Sequence, residues 1–183
     1  MKALKIVALA TGIAILGTLA LMMAAPAANH VESTIIINAS AAAIYREANG
    51  FKSFHAWSPL SDPRVKYSYA GPEAGVGARV SWDGPEAGRG YREITESEEN
   101  ERIKHLITFE GQAGRYVSEI RLEPVDGGTK VTWTYDSDYS QAAGMSGSMD
   151  KIVEMFTGPA LKDHYDAGLK ALKQVVERKP ESD

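Results

Sequence analysis

The sequence predicts an α+β domain: a curved antiparallel sheet of seven strands, crossed on its concave face by one long C-terminal helix. Three observations predict it. Six short alternating runs between residues 64 and 139 are separated by close-set turn residues, as in an antiparallel meander. A β-branched run at 30–37 adds a seventh strand. Beyond residue 150 the apolar period becomes helical, with Leu161, Tyr165, Leu169, Leu172 and Val176 on one face and Lys162, Asp166, Lys170, Lys173 and Glu177 opposite.

The chain opens on different material. Lys2 and Lys5 precede an uncharged run at 6–25. As a helix its 20 residues extend roughly 30 Å, the thickness of a bilayer core. The run reads as a transmembrane anchor, with residues 1–5 cytoplasmic by the positive-inside bias and the domain outside the cytoplasmic membrane. A signal segment cleaved near Ala25-Pro26-Ala27 is the alternative, which would give a secreted domain. Residues 26–29 form a hinge, 30–178 the domain and 179–183 a disordered tail.

Within the domain, strand 30–37 is followed by Asn38-Ala39-Ser40, a helix-start signal, and a short helix at 41–48. Residues 51–57 form a second helical turn, ended by Ser58-Pro59. The stretch FHAWSPLSDP at 54–63 sets Phe54 and Trp57 among turn-formers. It reads as a loop roofing a cavity, with Trp57 as the roof. Strands follow at 64–70, 76–83, 89–96, 101–110, 115–123 and 129–139, broken by Gly71-Pro72, Gly84-Pro85, 97–100, 111–114 and 126–128. Residues 141–149 read as a loop. Asp150 then caps the last helix, which reaches residue 178 with a kink or break at Gly158-Pro159.

Alternation sets the strand registers, because one face must be buried. Ile94 faces Ile103, so Arg92 faces His105; His105 faces Ile120 and Ile107 faces Ser118. Ile120 faces Trp133, Ser118 faces Tyr135, Val80 faces Arg92, and Trp82 faces Gly90. The inner face is then apolar at one end (Ala78, Ile94, Ile103, Leu122, Val131). Further along it mixes Trp82, Arg92, His105, Ile107, Phe109, Ser118, Trp133 and Tyr135, and Gly90 leaves space. Mostly apolar walls with a few placed polar groups describe a small-molecule site.

Composition excludes other classes. There is no cysteine, so no disulfide, thiolate nucleophile or cysteine metal site. Setting Lys2 and Lys5 aside leaves 18 basic against 24 acidic residues, a net charge of −6, with no basic patch for nucleic acid. His30, His55, His105 and His164 lack metal-ligand spacing, so neither a metal nor a cofactor is expected. G-x-S-x-G is absent; GMSGS at 144–148 reads as linker.

Several motifs carry a family likeness: Trp57-Ser58-Pro59 with Asp62-Pro63, YAGPEAGVGARVSW at 69–82, Gly88-Arg89-Gly90 with Ile94, FEG at 109–111 and GGTKVTW at 127–133. The chain resembles the SRPBCC superfamily in its polyketide cyclase/dehydrase-like, START-related branch, particularly bacterial members with an N-terminal membrane segment. The likeness spans 30–178 and implies a helix-grip fold, a seven-stranded sheet wrapped around the last helix and enclosing a cavity for apolar ligands. Phe54 and Leu60 stand where that pattern often has Trp, and Arg92 where it is apolar or small.

The expected function is non-catalytic carriage or sensing of a lipid-like, apolar or amphipathic small molecule by a membrane-tethered domain. The candidate ligand-binding residues are Trp57, Trp82, Arg92, His105, Ile107, Phe109, Ser118, Trp133 and Tyr135. One alternative is a cyclase/dehydratase-type enzyme in which Arg92 and His105 polarise a bound substrate. Another is a co-chaperone-like protein-interaction module, which the polar outer-face residues Arg102, Lys104, Glu119, Arg121, Thr132 and Thr134 disfavour.

Overall fold

A computed structural model describes residues 10–13, 16–18, 20, 25–142 and 144–178. The first strand, β1 (Ala28–Ile37), is followed by two short helices, α1 (Ala41–Ala48) and α2 (Phe51–Trp57). Six strands come next: β2 (Lys66–Ala70), β3 (Arg79–Gly84), β4 (Gly88–Glu98), β5 (Arg102–Phe109), β6 (Arg115–Val125) and β7 (Gly128–Asp138). The chain ends in the 35-residue helix α3 (Gly144–Arg178). All seven strands form one antiparallel sheet in the order β1-β7-β6-β5-β4-β3-β2. The meander β2 to β7 places sequential strands side by side, and β1 closes the far edge against β7.

Local sequence accounts for the short helices. The Ser40 side chain accepts a hydrogen bond from the Ala43 N–H at 3.3 Å, capping α1. In α2, Phe51, Phe54 and Trp57 recur every three residues and all are buried. The helix stops at Ser58 because the residue before a proline is pushed out of the helical region. Asp126-Gly127 forms the β6–β7 turn, and Gly127 takes the positive φ of 83° that the turn requires.

Two registers differ from the sequence expectation, each by two residues. Ile94 pairs with His105 rather than Ile103, and Arg92 pairs with Ile107. The β4–β5 turn lies further along the chain than expected, with Glu98 opposite Arg102 and Ser97 opposite Ile103, and the bulge between Ile94 and Glu96 takes back one residue of that displacement. Across the next turn His105 pairs with Ser118, and Ile107 with Tyr116. The pairings Ile120–Trp133, Ser118–Tyr135, Val80–Arg92 and Trp82–Gly90 stand as expected. Past the bulge the shifts are even, so Arg92, Ile94, His105 and Ile107 keep their expected face.

The last helix also differs at its start. It begins at Gly144, inside the stretch read as a loop, and continues through Pro159. Asp150 is not its cap; that carboxylate accepts a hydrogen bond from the Ala113 N–H at 3.2 Å. Glycine makes 144–149 a poor intrinsic helix, but packing outweighs propensity here, with Gly147 buried against Ala142.

The core lies between the sheet and α3. Tyr165, Leu169, Leu172 and Val176 project from α3 onto Ile120, Val131 and Trp133, with α1 and α2 sealing one end through Ile44, Phe51 and Phe54. Gly168 is buried where α3 passes over the Trp133 indole.

Among the described residues no helix is long and apolar enough to cross a membrane. Of the run at 6–25, residues 10–13, 16–18 and 20 are helical; most of the others lie outside the described residues, as does the tail at 179–183.

Candidate functional site

Between the β2–β5 half of the sheet, the segment after α2 and the first half of α3 lies an open hollow of about 820 Å³. This is within the range of small-molecule sites, roughly 300–1,000 Å³. Its inner wall is built from alternate residues of adjacent strands: Val80 and Trp82 on β3, Arg92 on β4, Ile107 and Phe109 on β5, Tyr135 on β7. Tyr165 and Leu161 close it from α3, and Phe54, Pro59 and Leu60 from the α2 side.

Five of the nine candidate residues therefore stand on this wall: Trp82, Arg92, Ile107, Phe109 and Tyr135. The other four lie behind it. Trp57 is buried and donates its indole N–H to the Glu47 carbonyl at 3.1 Å. It packs into Phe54 and Trp133, so the roof is Phe54 with the Pro59-Leu60 turn. Trp133 and Ser118 are fully buried and bonded to each other, the indole N–H donating to Ser118 Oγ at 2.9 Å. Ser118 Oγ also lies 3.3 Å from the Tyr165 hydroxyl. His105 is fully buried, with its ring 5.4 Å from that of Phe51 and 6.1 Å from that of Phe54.

Gly90 does not leave space. An added Cβ would lie 2.4 Å from Trp82 Cζ2, because the indole occupies the position. Trp82 continues edge-on into Phe109, and Phe109 into Tyr116, at centroid distances of 5.5 and 5.0 Å. This chain of edge-to-face contacts, each worth about 0.5–1.5 kcal/mol beyond area burial, stiffens the β3–β5 wall.

Arg92 is the wall's most consequential residue. Its guanidinium carbon sits 5.2 Å above the Phe54 ring. Burial lowers its pKa, and the nearby Tyr165, Tyr135 and Tyr67 hydroxyls oppose that shift. Among the described residues no carboxylate acts on it. Glu93, its sequence neighbour, points to the other face and is taken by Arg79. Arg92 is sequestered from bulk water, yet part of its surface is open, and that surface lines the hollow.

The histidines divide sharply. On the wall, His55 Nδ1 lies 2.8 Å from the Tyr69 hydroxyl. Desolvation, then the Arg92 charge, brings its pKa down to about 4, so it is neutral at pH 7. His105 is held neutral by the same two causes in the same order. Neither of its ring nitrogens has a hydrogen-bond partner among the described residues. His164 stands at the rim, with Nδ1 2.7 Å from the Ala160 carbonyl oxygen. Among the described residues no group of three metal-ligating side chains converges.

Sequence reasoning missed Phe54, His55, Tyr67 and Tyr165 as wall residues. Tyr165 carried a signal, being the one hydroxyl on the apolar stripe of the last helix. His55 and Tyr67 carried none, because the path of the chain around Pro59 brings them there.

A family model described as polyketide cyclase / dehydrase and lipid transport matches residues 28–177. The chain belongs to that family. Solved structures agree on the fold. The chain is similar to SA2116 from Staphylococcus aureus, described as a protein of unknown function. The TM-score is 0.61 at 15% identity, covering 82% of this chain and 94% of that one. For TTHA0849 from Thermus thermophilus the TM-score is 0.57 at 20% identity, covering 82% and 98%. For Ara h 8.0201 it is 0.56 at 14% identity, covering 83% and 99%. At such identities the likeness establishes the helix-grip fold and not the chemistry. Because the matched part spans those solved chains almost end to end, it is a complete folding unit. No curated protein matches the chain. As a member of this family, the chain has a ligand-binding fold.

Proposed function

We propose that this family member carries or senses an apolar or amphipathic, lipid-like molecule without catalysing a reaction on it. The observation that carries the reading is the hollow of about 820 Å³, whose largely aromatic and aliphatic wall holds a desolvated cation, Arg92, on which no carboxylate acts among the described residues. A protein optimised only for packing would fill such a space, since interiors close to crystal density. It would also pair or replace such a cation, because stripping water from it costs several kcal/mol. Residues 6–25 tether the domain to the outer face of the cytoplasmic membrane, next to the lipid it samples.

The enzymatic alternative relied on Arg92 acting with His105, and the burial of His105 behind the wall does not favour it. The protein-interaction alternative needs an apolar outer face. That face instead carries ion pairs such as Lys104–Glu96 at 3.0 Å.

Native mass spectrometry of residues 26–183 purified from cells, followed by solvent extraction, tests the carrier reading. A defined co-purifying amphiphile is the expected result. Protein that is always empty, and is not stabilised by any of a panel of lipids, overturns it. The tether is tested separately by the intact mass and membrane fractionation of the full chain.

A further inference from the structure

The charge-bearing groups of the wall differ in what holds them. Asp62 and Glu86 are both taken by Arg64, at 2.7 and 2.9 Å. Asp150 accepts the Ala113 N–H. His55 and His164 are engaged by Tyr69 and by the Ala160 carbonyl. Among the described wall residues this leaves Arg92 as the one cation with no counter-charge. The Phe54 ring covers one face of its guanidinium and Tyr165 hydrogen-bonds to it, so the remaining N–H edge opens toward the hollow.

We infer that the ligand is a single-chain amphiphile bearing one carboxylate, taken up head first, so that the carboxylate lies on Arg92 and the chain runs out past Phe109 and Leu161 toward Val153 at the mouth. The inference rests on the carrier reading above. The direction follows from burial. Arg92 is itself half-buried but is set among buried Phe54, Val80 and Ile107, whereas half-buried Phe109 and Leu161 lead to Val153, which is exposed.

The head group follows from charge and shape. A carboxylate presents two coplanar oxygens to the planar N–H fork of a guanidinium. Its single negative charge matches the single fixed positive charge. A phosphate monoester carries about −1.5 to −2 at pH 7. Its surplus charge would meet no second cation, because His55 with a pKa of about 4 is neutral. A neutral alcohol forgoes the charge-assisted part of the bond and leaves the buried cation uncompensated.

The tail follows from volume. If each heavy atom takes roughly the 30 Å³ share of a liquid water, the hollow of about 820 Å³ holds at most about 27 such atoms. One acyl chain of ordinary length fits; a two-chain phospholipid does not.

The test uses residues 26–183 and displacement of the neutral fluorophore N-phenyl-1-naphthylamine. The competitors are palmitate, 1-hexadecanol and hexadecyl phosphate. Palmitate should bind at least about tenfold more tightly than the alcohol, the scale of one charge-assisted hydrogen bond, and more tightly than the phosphate. In Arg92→Met the palmitate preference should vanish while hexadecanol binding is kept; Arg92→Lys should restore part of it. Circular dichroism and the unfolding midpoint establish that the variants are folded. Equal binding of palmitate and alcohol, or a preference that survives Arg92→Met, overturns this inference while leaving the carrier reading intact. Tighter phosphate binding overturns the carboxylate assignment. Failure of the fluorophore and all three competitors to bind overturns both.

Discussion

Adding one methyl group at Gly168 tests the grip of the helix on the sheet. A Cβ at this position would stand 2.6 Å from Trp133 Cζ3 and 3.2 Å from Pro59 Cδ. Helix propensity by itself favours Gly168→Ala by about 1 kcal/mol. Sterics oppose it, because carbon atoms pack best at about 3.5–4.0 Å; the helix or the indole must move by about an ångström. Trp133 has little room to move. It is fully buried, its ring lies 4.0 Å from Tyr165 and 5.6 Å from Trp57, and its N–H is bonded to Ser118. Overpacking of this kind costs about 1–3 kcal/mol, and a turned indole loses a hydrogen bond worth about 1 kcal/mol more. The steric side wins, giving a net destabilisation of about 1–3 kcal/mol. Urea denaturation of residues 26–183, followed by tryptophan fluorescence, should show a lower midpoint with an unchanged slope. A variant as stable as the parent, or more so, would refute the close passage of α3 over Trp133.

Three further outcomes follow from the polar groups inside the fold. Arg92→Met should leave the empty protein as stable or more stable by up to about 1 kcal/mol, because desolvating the cation costs several kcal/mol while its contact with Phe54 and its hydrogen bond to Tyr165 together return most of that; a clear loss in urea denaturation would mean that the guanidinium is structurally satisfied. His105→Leu should be neutral or stabilising by up to about 1 kcal/mol, since it removes two unpartnered ring nitrogens from the interior. A destabilisation beyond about 2 kcal/mol would show those nitrogens to be bonded. The third outcome concerns pH. The folded pKa of His55, about 4, lies below its ordinary 6.5. Between those values the unfolded chain binds a proton that the folded chain does not. Stability is therefore complete above pH 6.5 and falls as pH drops toward 4. His105 acts in the same direction. Discounted for the exposed part of His55, the difference between the parent and His55→Gln should narrow by about 1 kcal/mol across that window. Parallel pH profiles for the two proteins would sink the assignment.

The fold was legible because its signals are periodic and local. β1 needed only the β-branched run up to Ile37, α1 its Ser40 cap, and the meander its spaced turns. Which side chains face inward was also legible, since a register error of two residues preserves the face. The identity of cross-strand neighbours was not. The turn that sets Glu98 opposite Arg102, together with a bulge at Ile94/Glu96 that has no glycine or proline to announce it, leaves His105 opposite Ile94 rather than Arg92. That displacement decides the site, because it puts Arg92 beside the hollow and His105 under Phe51 and Phe54. Helix capping failed at Asp150 for a related reason. A residue with the right chemistry for a cap was recruited instead by the loop at Ala113, and packing extended the helix beyond it.

What separates scaffold from site in this domain is whether polar groups are satisfied, not whether they are present. Ser118, Trp133 and Tyr165 satisfy one another, and Tyr165 also reaches Arg92. Hydrogen bonds tie Ser118 to both rings, and the rings pack on each other, so the set fixes α3 against β6 and β7. It would hold equally well in a solid core. Arg92 is different. Its cross-strand neighbours Val80 and Ile107 are apolar, the nearest carboxylate in sequence is turned outward to Arg79, and the carboxylates among the described residues of its hollow are held elsewhere. A cation kept in that state weakens the empty fold, and strained or costly groups concentrate where a ligand relieves them. The same group that makes the empty protein less stable thus makes the filled one more stable, and the two effects have one origin in the desolvation of Arg92. Stability of the Arg92→Met variant and loss of carboxylate preference are therefore linked outcomes: a protein that showed one without the other would place the cost of Arg92 somewhere other than in the hollow.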